Sequence, residues 1–260
     1  MGYHLRAWRY RQALWGPFHA QVAQWLSGWQ TTSSHLLLVG PSGGYALNRE
    51  FLARFRQITV IEPDPLARHI LRRRFAQASI QLPHFHLPHF QFQCFPAFIA
   101  QDGFQQLAQR FPGTAILFCN LLGQSLIGQA VGPARKVWLS NLQPALIHHE
   151  WASWHDLATT YRVPDSTDPF ALQSAMSLDQ LIAHFWKGGE IEIGDHESEG
   201  IAPDQPREYA IWPIRPGQFH LIEWVEQGDT TPGNHQSKNA SEMISAIDEA
   251  PPAPTPVDAP

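Results

Sequence analysis

The stretch from His35 to Pro65, HLLLVGPSGGYALNREFLARFRQITVIEPDP, constrains the fold more than any other part of the chain. Leu36 to Val39 make a short apolar run, and Gly40, Ser42, Gly43 and Gly44 make a turn of minimal side-chain bulk. An amphipathic helical segment follows to about Phe55, and a second apolar run, Ile58 to Ile61, is closed by Glu62. Two such strands joined by a helix form a right-handed βαβ unit, the building block of an open α/β sheet that binds ligands at the carboxyl ends of its strands. Glycine at the handover from strand to helix lets a polar ligand approach main-chain N–H groups that a Cβ would screen. Glu62 ends the second strand about 20 residues past the turn, where a carboxylate can accept hydrogen bonds from the two hydroxyls of a ribose. A nucleoside-containing ligand is the first expectation.

The turn discriminates among nucleosides. A dinucleotide fingerprint needs glycine where Ser42 and Tyr45 stand, which weakens a nicotinamide oxidoreductase, and no Gly-Lys-Ser/Thr precedes the helix, which weakens nucleotide triphosphate hydrolysis. The looser G-x-G-x-G turn, with Gly40 and Gly44 matching, Ser42 as a small substitute and Glu62 in the ribose position, resembles that of class I S-adenosylmethionine-dependent methyltransferases. The resemblance runs from about Leu36 to Trp224. It implies S-adenosyl-L-methionine as cofactor, with Gly40, Ser42, Gly43, Gly44 and Glu62 around it. Two positions depart from the family. Leu38 stands where an acid normally holds the cofactor's amino group, and no acid follows the third strand near Cys94 and Phe95, where the family contacts adenine.

The remaining segments fit one such domain. Asp64 and Pro65 begin a helix that runs to Phe75, with Arg72, Arg73 and Arg74 as a solvated last turn. Phe90, Phe92 and Cys94 alternate as a third strand, and Phe104 to Phe111 form a helix stopped by Pro112 and Gly113. Thr114 to Cys119 read as a fourth strand, which places Asn120 and Gln124 at its carboxyl end as amides able to position cofactor or substrate. Only Asn120 matches the Asn/Asp-Pro-Pro-aromatic motif of nucleobase amino-methyltransferases, so base methylation is not expected. A loosely defined helix over 133–147 leads to a fifth strand, Glu150 to Asp156.

That strand ends in His155 and Asp156, the candidate general base and its orienting or substrate-binding partner. Adjacent strand residues face opposite sides, so both reach one pocket only if the strand has already ended. Asp195 and His196, after a later strand from Glu190 to Gly194, are candidates for the substrate side. Glu208 to Trp212 and Phe219 to Val225 make a closing hairpin. In the family a terminal antiparallel hairpin completes a seven-stranded sheet. The predicted fold is therefore α/β and Rossmann-like: a seven-stranded, mostly parallel sheet with helices on both faces, an antiparallel C-terminal hairpin and an N-terminal helical cap.

The cap, residues 1–33, carries Trp8, Trp15, Phe18, Val22, Trp25 and Trp29 at helical spacing, a stripe that packs on the sheet or closes over the cofactor mouth. Residues 34–226 form the methyltransferase-like domain. Residues 227–260, rich in Pro, Ala, Ser and Thr, predict a disordered tail. A net charge of -5 gives no reason to expect nucleic acid, and no apolar run reaches membrane-spanning length. His84, His86 and His89 lack a neighbouring Cys or carboxylate, so no metal is expected. Cys94 and Cys119 read as reduced core thiols, and the cytoplasm is the expected compartment. The function expected is methyl transfer to a small-molecule or protein acceptor; the alternative is a non-catalytic binding or scaffold protein on the same fold.

Overall fold

A computed structural model of the chain describes residues 2–76, 89–93, 102–123, 133–199 and 201–227. Helices α1 (Gly2–Tyr10) and α2 (Trp15–Gly28) come first, followed by β1 (His35–Val39), α3 (Arg49–Leu52), β2 (Gln57–Ile61), α4 (Pro65–Ala76) and β3 (His89–Gln93). Next are α5 (Gly103–Arg110), β4 (Ala115–Cys119), α6 (Pro133–Ser140), α7 (Leu142–Ala145) and β5 (Trp151–Thr160). The chain closes with β6 (Phe170–Leu172), α8 (Leu178–Phe185), β7 (Ile193–Asp195), β8 (Arg207–Arg215) and β9 (Gln218–Gln227).

The strands lie in the order β3-β2-β1-β4-β5-β9-β8-β6, with β7 paired to the far end of β5. The first five in space are parallel, and β9 runs antiparallel to both β5 and β8. This is the Rossmann-like α/β sheet that the sequence predicts, with nine strands among the described residues rather than seven. β6 is a three-residue strand not expected from the sequence, and β7 is the expected strand over 190–194 shortened and shifted to Ile193–Asp195; both attach by short ladders to longer neighbours.

Alternation along the strands sorts the core onto two faces. Leu36 and Leu38 of β1 face α2, α3 and α4, joining Phe18, Trp25, Phe51 and Leu71. Leu37 and Val39 face α5, α6 and α7, joining Phe104, Trp138 and Leu142. A third cluster covers the far end of β5, β8 and β9 with Leu181 and Phe185 of α8. Burial of both faces explains why β1, β2 and β4 read as continuous apolar runs. Among the described residues no helix is long and apolar enough to cross a membrane.

Three local expectations change. The helix after the glycine turn is a single turn: residues 41–47 bend through Gly44 N–H to Pro41 O at 2.9 Å and Leu47 N–H to Gly44 O at 3.2 Å. The Asn48 side chain then caps the Phe51 N–H at 2.8 Å. The helix over 133–147 is two short helices, α6 and α7. The N-terminal stripe packs on β8, with Phe18 stacked on Trp212 at 4.6 Å and Trp15 Nε1–H donated to the Ile214 carbonyl at 3.0 Å. Trp8 departs from that stripe and is 72% exposed. The expected tail from 228 on, together with His84, His86, Cys94, Phe95 and Gln124, lies outside the described residues.

Candidate active site

The carboxyl ends of β1, β2 and β4 open into a cavity of about 440 Å³. Its lining includes Gly40 and Ser42 after β1, Glu62 and Asp64 after β2, and Cys119 and Asn120 at the end of β4. The opposite wall comes from Tyr3, His4 and Arg6 of α1 and from Trp212, Gln218 and His220 of the terminal hairpin. The volume lies in the usual range for a small-molecule site.

Glu62 joins the two crossover turns. Its carboxylate accepts the Ser42 N–H at 2.8 Å and the Asp64 N–H at 3.0 Å. Burial pushes this carboxyl above its ordinary value, while the two main-chain donors pull it back in part. Each carboxylate oxygen has a second acceptor site, so Glu62 clasps the turns and keeps capacity toward the cavity. Gly40 is left-handed at φ 66° and its N–H continues the ladder to the Ile61 carbonyl at 2.9 Å. Ser42, at φ 52°, adopts a conformation that costs a non-glycine residue energy.

The other two glycines have a packing role. A Cβ on Gly43 would meet the Tyr45 ring at 2.7 Å, and one on Gly44 would meet Phe75 and Leu71 at 3.0 and 3.1 Å. Neither is among the residues that line the cavity. The one-turn helix α3 likewise contributes no appreciable dipole to the turn.

The N-terminal helix is latched over this region. His4 places Nδ1 2.9 Å from the Tyr45 hydroxyl and Nε2 3.2 Å from the Asp64 carboxylate. The bond from His4 holds the Asp64 carboxyl below its usual value, against a smaller opposing effect of desolvation. Arg6 is the one guanidinium among the lining residues, and its Nε is buried without a hydrogen-bond partner among the described residues. Burial pushes the Cys119 thiol well up, and the Glu62 charge pushes it further, so it stays protonated and inert at neutral pH.

His155 and Asp156 separate. His155 is wholly buried on the face away from the cavity, with Nε2 3.1 Å from Glu223 and Nδ1 3.2 Å from the Ser153 hydroxyl. Glu223 in turn meets Arg207 at 2.7 Å, and Arg207 donates to the Ile201 and Ala202 carbonyls. Burial would raise the Glu223 carboxyl, but His155 and Arg207 outweigh it and hold the group below its usual value. This polar cluster is structural, and it removes His155 from contact with any ligand in the cavity.

Asp156 faces the other way. Its carboxylate lies 2.9 Å from Nδ1 of His220, which lines the cavity. Asn120, left-handed at φ 53°, accepts the Asp156 N–H at 3.0 Å and donates its own N–H to the Trp154 carbonyl at 2.8 Å, so it braces β5 from the cavity wall. A β-bulge between Asp156 and Ala158 shifts the register against β9 at this point. His196 contacts the Thr159 hydroxyl at 2.9 Å and its ring lies 6.1 Å from that of His220. Asp195 lines a second cavity of about 460 Å³, with Glu197 and Glu199, whose lining shares no residue with the first.

Sequence reasoning missed Tyr3, His4, Arg6, Trp212 and His220. The only hint was the placement of a cap near the cofactor mouth and of a hairpin at the sheet's end.

No family model and no curated relative matches the chain. Solved structures to which it is similar include the N-methyltransferase NodS from Bradyrhizobium japonicum WM9, at 10% identity over 82% of this chain and 96% of that one, with a TM-score of 0.40. An rRNA methylase from Streptococcus thermophilus matches at 10% identity over 81% and 97%, with a TM-score of 0.35. A SAM-dependent methyltransferase from Aquifex aeolicus matches at 11% identity over 78% and 88%, with a TM-score of 0.34. Likeness of this degree leaves the functional argument to the site itself.

Proposed function

We propose that the chain binds S-adenosyl-L-methionine in the 440 Å³ cavity and transfers its methyl group to a small-molecule or protein acceptor. The observation that carries this reading is the buried carboxylate of Glu62. It lies at the carboxyl end of β2, in contact with the turn after β1, and shares one cavity with Gly40 and Asn120 at the ends of the two neighbouring strands. An acid in that position serves the paired hydroxyls of a ribose, and open α/β sheets bind ligands at these strand ends.

Glu62 accepts the hydroxyls, Gly40 and Ser42 form the turn beside them, and Arg6 supplies a cation for a carboxylate. Asn120 keeps β5 against the cavity. Leu38, which replaces the family's acid, is fully buried in the core and makes no contribution to the site. The bound sulfonium supplies an electrophilic methyl group. The protein's part is to align the acceptor and exclude water, which is worth on the order of 7–11 kcal/mol in favourable cases.

Isothermal titration with S-adenosyl-L-homocysteine tests the reading. Saturable binding at micromolar concentration supports it. A folded protein that shows no heat up to about 1 mM, a binding free energy weaker than about 4 kcal/mol, refutes it and leaves a scaffold role on the same fold.

A further inference from the structure

We infer that His220, oriented by Asp156, is the group that removes a proton from the methyl acceptor, a role the sequence had suggested for His155. The inference rests on the methyl-transfer reading of the same cavity. It begins from elimination among the groups that line the wall. His4 has both ring nitrogens engaged, with Tyr45 and Asp64. The remaining acceptor capacity of Glu62 is assigned to the ribose hydroxyls, and the Cys119 thiol is held protonated by burial. The Tyr3 hydroxyl is pushed far above neutrality by burial and by the Asp156 charge. His220 remains.

Its geometry suits the task. Nδ1 is buried at ion-pair distance, 2.9 Å, from the Asp156 carboxylate, without the angle of a formed hydrogen bond, and Asp156 is itself wholly inaccessible. A carboxylate at that distance favours the tautomer with the proton on Nδ1, which leaves the Nε2 lone pair free to accept one. The His220 side chain is 11% accessible and the residue lines the cavity. The Trp212 ring, 6.2 Å away, and Ile214 supply an apolar wall, and Gln218 supplies an amide.

This wall fits an acceptor with an apolar body and a nucleophile that must lose a proton, a hydroxyl or a protonated amine. The X–H proton passes to Nε2 of His220, the electron pair so freed, or a lone pair already on a hydroxyl oxygen, forms the new bond to the methyl carbon, and the sulfur keeps the electron pair of the broken S–C bond. An acceptor with no proton to lose would gain nothing from this pair.

Diethyl pyrocarbonate acylates an accessible, unprotonated imidazole nitrogen, and peptide mass spectrometry locates the product. At neutral pH His220 should be labelled while His155 is not, and S-adenosyl-L-homocysteine should slow labelling of His220. Asp156→Asn can donate to Nδ1 and so place the proton on Nε2, which should slow labelling of His220 on the order of tenfold. Nitrogen-15 spectra of histidine-labelled wild-type protein should show the Nδ1–H tautomer at His220, a readout that does not require the variant to fold. Titration of His220→Gln with S-adenosyl-L-homocysteine should match wild type within about threefold, because a base for the acceptor adds little to binding of the donor product. Intact binding with an unlabelled His220, or with the Nε2–H tautomer, overturns the inference and leaves the donor site standing. Absence of binding in folded wild-type protein overturns the donor site and this role with it.

Discussion

Replacement of Glu62 by glutamine separates its two roles, clasping the turns and holding a ligand. The carboxylate accepts the Ser42 and Asp64 N–H groups at 2.8 and 3.0 Å. Glutamine keeps one acceptor oxygen and sets its NH₂ against the other donor. Losing a charged acceptor at a main-chain N–H costs about 1.5–3 kcal/mol. Burial opposes the charge on Glu62, and a neutral amide recovers part of that penalty. We therefore expect a net loss of about 1–2 kcal/mol, which in a unit of this size lowers Tm by about 2–8 °C. Ribose hydroxyls lose a charged acceptor as well, so affinity for S-adenosyl-L-homocysteine should fall about 10- to 100-fold under conditions where the variant is folded. Differential scanning calorimetry and isothermal titration give the two numbers independently. If Tm falls as expected while affinity stays within about threefold, Glu62 only clasps the turns and the ribose argument fails. If Tm does not move, the clasp has been misjudged.

Arg6→Gln should weaken binding of S-adenosyl-L-homocysteine about tenfold while leaving 5′-methylthioadenosine, which lacks the amino-acid carboxylate, unchanged by calorimetry. Arg207→Met leaves the buried Glu223 without its guanidinium and should cost about 3–5 kcal/mol, whereas replacing His155, Glu223 and Arg207 together by apolar residues should recover much of the loss in urea titrations. His19 is held down to about 4 by burial and by the Arg74 charge, so it stays neutral in the fold. Its contribution is fully present above its ordinary value near 6.5 and is lost as pH falls toward 4; for a partly accessible ring this is about 1–2 kcal/mol, removed in His19→Gln. The raised Glu62 carboxyl takes up a proton as pH falls through its shifted value, so affinity for S-adenosyl-L-homocysteine should decline there and the decline should flatten in Glu62→Gln.

The sheet and one side of the cavity were legible because their signals are local. Leu36 to Val39 and Ile58 to Ile61 are apolar on both faces, and the turn and Glu62 follow the strands directly. The one-turn α3 was hidden because the residues after Asn48 have helical periodicity, while the turn before it takes its shape from main-chain bonds. Alternation correctly warned that His155 and Asp156 point apart. Finding the partner of Asp156 required the register of β5 against β9, with its bulge, across a long stretch of sequence. Tyr3, His4 and Arg6 were hidden for the same reason. Nothing in a short amphipathic helix states which loop it will cover, and here the answer comes from His4 meeting Tyr45 and Asp64.

The irregularity in β5 reaches beyond pairing. It lets the carbonyls of Asp156 and Leu157 accept from the segment after β7, which donates the Ser198 hydroxyl at 2.6 Å and the His196 N–H at 2.9 Å. Gly123 presses against the same backbone so closely that any Cβ there would strike the Asp156 carbonyl. Two separate loops are thus anchored on the residue that steers His220. A displacement of either one reaches the Asp156 backbone and, across the 2.9 Å contact with Nδ1, the aim of a single imidazole, so Gly123→Ala should disturb the proposed proton transfer without touching a ligand.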